Sequence, residues 1–265
     1  MLIAHLSDPH LRGRGQLYQG LVDSNAMFDL AIRTVKELRP EPDLVIIGGD
    51  LVDEGNASEY ATVRQALSGL RQPIFAIPGN HDERAAFRSC FRDFGFVTDE
   101  GPLHFDINAE WPVRIIGLDI TVPGKHYGDM DDAACLWLDE KLAARPEMPT
   151  IILMHQPPFD SGIPYIDAYK CRRGARLAEI LMQYRNVERV LCGHIHRFMQ
   201  MQFGGTLLVT APSTTTAIAL RLGANAEPAS HIEPPALLLH HWKPDTGLIT
   251  HWVPVGSFPG PFPFY

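Results

Sequence analysis

Residues 74–82 read Ile-Phe-Ala-Ile-Pro-Gly-Asn-His-Asp, and the fold is read outward from them. Ile74 to Ile77 is an unbroken apolar run of strand length, stopped by Pro78-Gly79. The polar residues that follow come at once after the stop, not spread along a loop. Upstream, Tyr60, Val63, Leu67 and Leu70 make a helical stripe with Ser58 as its expected cap. Before it, Leu44 to Ile47 is a second continuous apolar run, which ends at Gly48-Gly49-Asp50 and suits a strand buried on both faces. Phe28, Ala31, Val35 and Leu38 mark another helix, with Asp23, Ser24 or Asn25 as candidate cap. Leu2 to Leu6 is a strand that ends at Ser7-Asp8-Pro9-His10. The order β-α-β-α-β calls for a parallel or mixed sheet with helices on its faces.

Downstream the rhythm continues. Strands are expected at Val113–Leu118, Thr150–Met154 and Val187–Leu191, the last two ending at His155 and at Gly193-His194-Ile195-His196. Cys135, Leu138 and Leu142 share one helical face, and Leu177, Ile180, Leu181 and Tyr184 another. Strands then dominate, at roughly 198–203, 206–210, 236–242 and 249–255. A Pro/Ala-rich insertion, 215–235, interrupts them, and 256–265 is an irregular tail. No internal repeat or domain boundary is visible, so residues 1–265 read as a single domain.

The chain of 265 residues carries 23 basic and 31 acidic residues, and its net charge of −8 argues against binding a nucleic-acid polymer through its phosphates. Hydrophobic residues make up 45%, which excludes a disordered chain. No apolar run reaches the length of a membrane span, and the first residues lack a basic segment before the apolar run. Cys90, Cys135, Cys171 and Cys192 show no CxxC spacing, so reduced thiols and a cytoplasmic location are expected.

The chemistry lies at the strand ends. Asp8, His10, Asp50, Asn80, His81, His155, His194 and His196 each follow an expected strand closely, and parallel strands would bring all of them to one edge. Five of the 12 histidines are spent there. Imidazole, carboxylate and carboxamide without thiolate suit Mn, Fe, Co or Zn. The set is too large for one ion, and two ions sharing a carboxylate such as Asp50 can clamp a phosphoryl group during in-line displacement by a bridging hydroxide. Gly-Asn-His-Asp alone is expected by chance at roughly 0.002 per shuffled chain of this composition, so the motif carries weight.

D-x-H, G-G-D, G-N-H-D, a lone His after a strand and G-H-x-H, in this order, resemble the calcineurin-like metallophosphoesterase superfamily. Leu2 to His10, Tyr18 to Asn25, His155 to Phe159 and Asp167 to Gly174 are similar to its class III cyclic nucleotide phosphodiesterases and a related bacterial glycerophosphodiesterase. The resemblance implies a four-layer αββα sandwich of two mixed sheets with a small cap near the C-terminus. It implies one metal held by Asp8, His10, Asp50 and His196, and another by Asp50, Asn80, His155 and His194. His81 would then stand outside the metals as a catalytic residue beside the leaving group. Manganese or iron is expected, with zinc or cobalt as alternatives. Where purple acid phosphatases place a ferric-binding tyrosine, this chain has Asp53.

The expected activity is hydrolysis of small phosphodiesters, cyclic nucleotides or glycerophosphodiesters. The alternatives are a phosphomonoesterase and a metal-free interaction module. A diester is favoured because no Arg or Lys falls within the five motifs, and Pro157, Pro158, Phe159, Ile163 and Tyr165 are expected to wall the site. Arg12 and Arg14 read as a surface pair or as phosphate contacts, and His231 as a possible substrate contact. His5 reads as a packed or pocket-edge residue, and His104, His126, His240, His241 and His251 as structural or solvated. Asp53 and Asp82 read as orienting groups. Ile218, Leu220 and Leu222 in the insertion, with Phe258, Phe262, Phe264 and Tyr265 in the tail, suggest a homo-oligomer.

Overall fold

The computed structural model describes residues 1–107 and 111–264; Tyr265 of the tail lies outside them. Two mixed sheets pack face to face. The first has the order β13-β12-β1-β2-β3, built from β1 (Leu2–Leu6), β2 (Leu44–Ile47), β3 (Ile74–Ala76), β12 (Ala236–Lys243) and β13 (Gly247–Pro254). The second has the order β4-β5-β6-β7-β9-β8, from β4 (Phe105–Ile107), β5 (Arg114–Gly117), β6 (Thr150–Leu153), β7 (Val187–Cys192), β8 (Met199–Phe203) and β9 (Thr206–Thr210). β1, β2 and β3 run parallel, as do β5, β6, β7 and β9. β12, β13, β4 and β8 join antiparallel.

Strand alternation builds the layers. Ile115, Ile151, Leu153, Leu191 and Val209 face inward and join Ile3 and Leu238 of the opposing sheet in one core. Their neighbours Ile116, Ile152, Val190 and Leu208 face outward onto Leu138, Leu142, Leu177 and Leu181. Those leucines belong to α4 (Asp132–Ala144) and α6 (Gly174–Leu181); α1 (Ser24–Glu37), α2 (Ala57–Leu67) and α3 (Arg84–Phe91) cover the first sheet. The architecture is the αββα sandwich.

Local chemistry moves some boundaries. Asn56, not Ser58, caps α2, because its side chain accepts from Glu59 N–H while Glu59 reaches back to the Asn56 N–H. Asp23 caps α1. Leu70 and Tyr184 fall just beyond their helices yet still pack against the cores. Helix α3, strand β4 and the short helix α5 (Pro164–Asp167) were not expected. Within 215–235, β10 (Ala217–Ile218) and β11 (Ser230–His231) pair as a small antiparallel ribbon.

Candidate metal centre

Parallel β1, β2, β3, β6 and β7 deliver their C-terminal loops to one edge. Asp8, His10, Asp50, His194 and His196 then take the left-handed backbone, with φ of 51°, 45°, 49°, 71° and 57°. Asp and His tolerate this region better than most residues, and each such residue still costs of order 1–3 kcal/mol. The turn lets each loop double back and aim its side chain into the space between the sheets. Asp8 N–H donates to Gly49 O at 3.1 Å and His10 N–H to Asp50 O at 3.0 Å, which ties the first two loops together. Gly79 is required by packing: a Cβ there would collide with the Asp50 carboxylate and backbone.

The donor atoms of Asp8, His10, Asp50 and His196 all lie within 4.8 Å of one another, and so do those of Asp50, His155 and His194. Asp50 is common to both groups, and Asn80 opens onto the same cavity. The imidazoles are oriented from behind. His155 Nδ1–H donates to Gly48 O at 2.7 Å, His196 Nδ1–H to Thr216 O at 2.9 Å and His81 Nδ1–H to Asp53 O at 2.7 Å. A carbonyl oxygen can only accept, so each of these rings keeps N–H at Nδ1 and, when neutral, has its lone pair at Nε2. Asp8 accepts the His194 N–H at 3.0 Å on Oδ1 and the Ser7 hydroxyl on Oδ2.

The residues fit a pair of divalent cations. His10 Nε2 and His196 Nε2 face each other at 3.0 Å, a separation that suits two ligands of one ion with bonds of about 2.1 Å. His194 Nε2 is buried without a hydrogen-bond partner. Burial alone would raise the acids, yet His196 and His155 hold Asp8 at about 2, and His155 and His81 hold Asp50 well below the usual carboxylate range. Burial lowers His10 well below its ordinary value and His194 to about 3, the lone-pair form a metal needs. In the metal-free protein Asp50, 3.2 Å away, overcomes burial and raises His155 to about 9. Asp82 accepts from Leu51 N–H, Gly79 N–H and the Tyr60 hydroxyl, while burial and Asp50 push it up to about 7.

A cavity of about 400 Å³ opens over this cluster. Its walls are Tyr165, Ile166, Tyr169 and His126 on one side, and Thr216, Ile218, Pro228, Ala229 and Ser230 of the insertion on the other. Tyr165 is therefore a wall residue as expected, but Pro157, Pro158, Phe159 and Ile163 are not, and Phe159 packs against the outer core instead. His231 is exposed on β11 and does not line the cavity. Arg12 is neither a surface group nor a phosphate contact. It is buried, 2.6 Å from Asp53, 2.7 Å from Glu54 and 3.1 Å from Glu59.

Three residues that the sequence does not mark as functional, His126, Gln156 and Tyr18, contact the candidate ligands Asn80 and His10. The Asn80 amide donates to His126 Nδ1 at 3.2 Å, and Gln156 Nε2 donates to His126 O at 3.1 Å. Tyr18 stacks on His10 with ring centroids 4.8 Å apart. Tyr18 and Gln156 stand inside segments that carry the family resemblance, whereas His126 lies in a loop without a spacing signal.

Residues 1–198 match the family described as calcineurin-like phosphoesterase. A probable glycerophosphodiester phosphodiesterase of Arcobacter nitrofigilis is 34% identical, over 100% of this chain and 97% of that protein. A 3′,5′-cyclic adenosine monophosphate phosphodiesterase of Escherichia coli K12 is 28% identical, over 80% of this chain and 75% of that one. The fold is shared with a dimetal phosphatase from Danio rerio, with a TM-score of 0.64 at 12% identity, over 97% and 99% of the two chains.

Proposed function

The chain belongs to the calcineurin-like phosphoesterases, and with that as premise we propose that it is a dinuclear metal-dependent hydrolase of small phosphodiesters. The observation that carries the substrate class is the cavity wall. Two ligand groups sharing Asp50 open into a cavity that no lysine or arginine lines among the described residues. A monoester brings nearly one more negative charge at pH 7, which a cationic wall would have to meet. Histidine, asparagine and tyrosine better suit a singly charged phosphate with two organic arms, of the glycerophosphodiester or cyclic nucleotide kind.

Asp8, His10, Asp50 and His196 would hold one cation, and Asp50, Asn80, His155 and His194 the other. Two such cations, when bound, would supply an activated water and neutralise charge on the phosphoryl oxygens. The remaining work falls to the chain. Gly48 O, Thr216 O and Asp53 O hold His155, His196 and His81 in one tautomer, so no ring must turn during turnover. Asp50 and Asp53 overcome burial and raise His81, which favours its protonated form. His81 opens onto the cavity, from where its Nε2 proton can pass to the leaving oxygen. Tyr169 and His126, edge to face at 5.4 Å, offer an aromatic wall to one arm.

Manganese or iron is the metal pair we favour, from the all-N/O donor set. The four cysteines are free and buried, which supports a reducing, cytoplasmic setting. The segment between β10 and β11 exposes Leu220 and Leu222, and the tail exposes Phe258, Phe262 and Phe264, which supports a homo-oligomer.

The test is a substrate panel on manganese-loaded protein. Bis(p-nitrophenyl) phosphate should exceed p-nitrophenyl phosphate by at least tenfold in kcat/KM, about 1.4 kcal/mol of transition-state discrimination. Equal turnover of the monoester would favour the phosphomonoesterase reading. Glycerophosphodiesters and cyclic AMP in the same panel separate the two diester classes.

A further inference from the structure

His5 on β1 and His240 on β12 are both fully buried, outside the ligand set. They point to the inner face of the first sheet, where their register partners are Leu238 and Ile3. His5 Nδ1 lies 3.2 Å from His240 Nε2, and His240 Nδ1 lies 2.9 Å from the Thr250 hydroxyl on the edge strand β13. A line of polar groups thus crosses this layer, with the Arg189 guanidinium of β7, which donates to Leu248 O at 2.6 Å, close to His240. At its inner end His5 Nε2 is buried without a hydrogen-bond partner. Leucines would fill these positions without leaving a buried polar group unpaired.

The inner end abuts the metal centre. A side chain at Gly48 would meet Ser7 Oγ at 2.7 Å and His5 Nε2 at 3.0 Å, so both atoms converge on the space that this glycine leaves. Ser7 Oγ donates to Asp8 Oδ2. Gly48 O is the acceptor that orients His155. The line therefore touches a residue that contacts each ligand group.

Polarity propagates along it. An ionised Asp8 can only accept, so the single Ser7 proton is committed to Asp8, and lone pairs are all that Ser7 can offer to the space beside Gly48 that it shares with His5 Nε2. Only N–H at His5 Nε2 is compatible with those lone pairs. A neutral His5 then has a bare Nδ1, which must accept from His240 Nε2–H. His240 Nδ1 is bare in turn and accepts from the Thr250 hydroxyl.

We propose that His5, backed by His240 and Thr250, is a positioning residue for Asp8: its Nε2–H faces Ser7 and keeps the serine hydroxyl turned onto the Asp8 carboxylate. This rests on the reading of Asp8 as a metal ligand. Orientation of ligands by such outer contacts is commonly worth 10–100-fold in metal affinity.

The experiment has two arms. Manganese titration of the chelator-treated protein, followed by electron paramagnetic resonance, should show one of the two sites weakened about 10–100-fold in His5→Leu. His5→Gln, which keeps an N–H near the Nε2 position, should restore most of that loss. Wild-type affinity in His5→Leu, or equal loss in both variants, overturns the proposal. In the second arm, imidazole ¹⁵N shifts of metal-free wild-type protein should report N–H at Nε2 and a bare Nδ1 for both His5 and His240. A bare Nε2 at His5 overturns the proposal. If His5→Leu does not fold, Thr250→Val at the half-exposed edge should shift the His5 tautomer balance, and an unchanged balance overturns the line. A wild type that binds fewer than two ions refutes the dinuclear reading instead, while the ¹⁵N arm still decides the tautomer.

Discussion

Replacing His5 and His240 together by leucine should make the protein less sensitive to acid. Burial holds His5 down to about 3, against the opposing pull of Asp8. Burial, reinforced by His5, Arg189 and His251, holds His240 well below its ordinary value. In the unfolded chain both titrate near 6.5. The unfolded state therefore binds more protons than the folded state below about pH 6.5. Stability from this pair is fully present above that pH and falls as the pH drops toward the folded values. At pH 5 an unfolded histidine gains about 2 kcal/mol from protonation, so the pair removes about 4 kcal/mol of folding free energy. That is a large part of the 5–15 kcal/mol typical of a domain. The assay is urea unfolding of chelator-treated wild type and double variant at pH 7.5 and pH 5, followed by circular dichroism. The other histidines are common to both proteins and largely cancel in the difference. Wild type should lose about 4 kcal/mol more than the variant over this interval. A difference below about 1 kcal/mol would mean that the folded protein accommodates the protons, and the reasoning from burial would fail.

Asp50→Ala should abolish activity and cost most of both metals, because Asp50 alone stands in both ligand groups; a crystal of the variant with two fully occupied ions would refute the bridging role. His81→Ala should keep both metals and lose rate by on the order of 10²–10⁴-fold. That deficit should shrink for p-nitrophenolate, which leaves without a proton, and a fall in metal content would instead make His81 a ligand. Arg12→Met should lower stability by about 3 kcal/mol, because it removes the cation beside the largely buried Asp53 and the fully buried Glu59. An unchanged urea midpoint would show that those acids are already protonated.

The sequence was most informative where periodicity and punctuation agree. Leu44–Ile47 followed by Gly48-Gly49-Asp50 can be read as a buried parallel strand with a functional end, because both signals are local. Helix α3 was hidden because only its cap, Glu83, separates Arg84–Phe91 from Gly79-Asn80-His81-Asp82, and it spans only about two turns. The cap of α2 was misplaced because Asn56 and Ser58 are both good caps, and the choice is made by Glu59 reaching back. The place of Arg12 depends on acids 41 or more residues away in the chain, and no local pattern announces such a partner. His126 joins the site only because β3, β5 and β6 bring their loops to one edge.

The left-handed backbone at five of the candidate ligands has a consequence for portability. The identities and spacings of these residues are an incomplete recipe, because a loop of the same sequence held in extended or right-handed form would aim the same side chains elsewhere. Transplanting this centre into another scaffold would require carrying Gly49, Gly79 and Gly193 with their loops, along with the carbonyls that anchor the imidazoles. It would also require paying the conformational strain from the host's own packing, before any ion arrives. A graft of the residues alone should bind metal weakly, in ill-defined geometry.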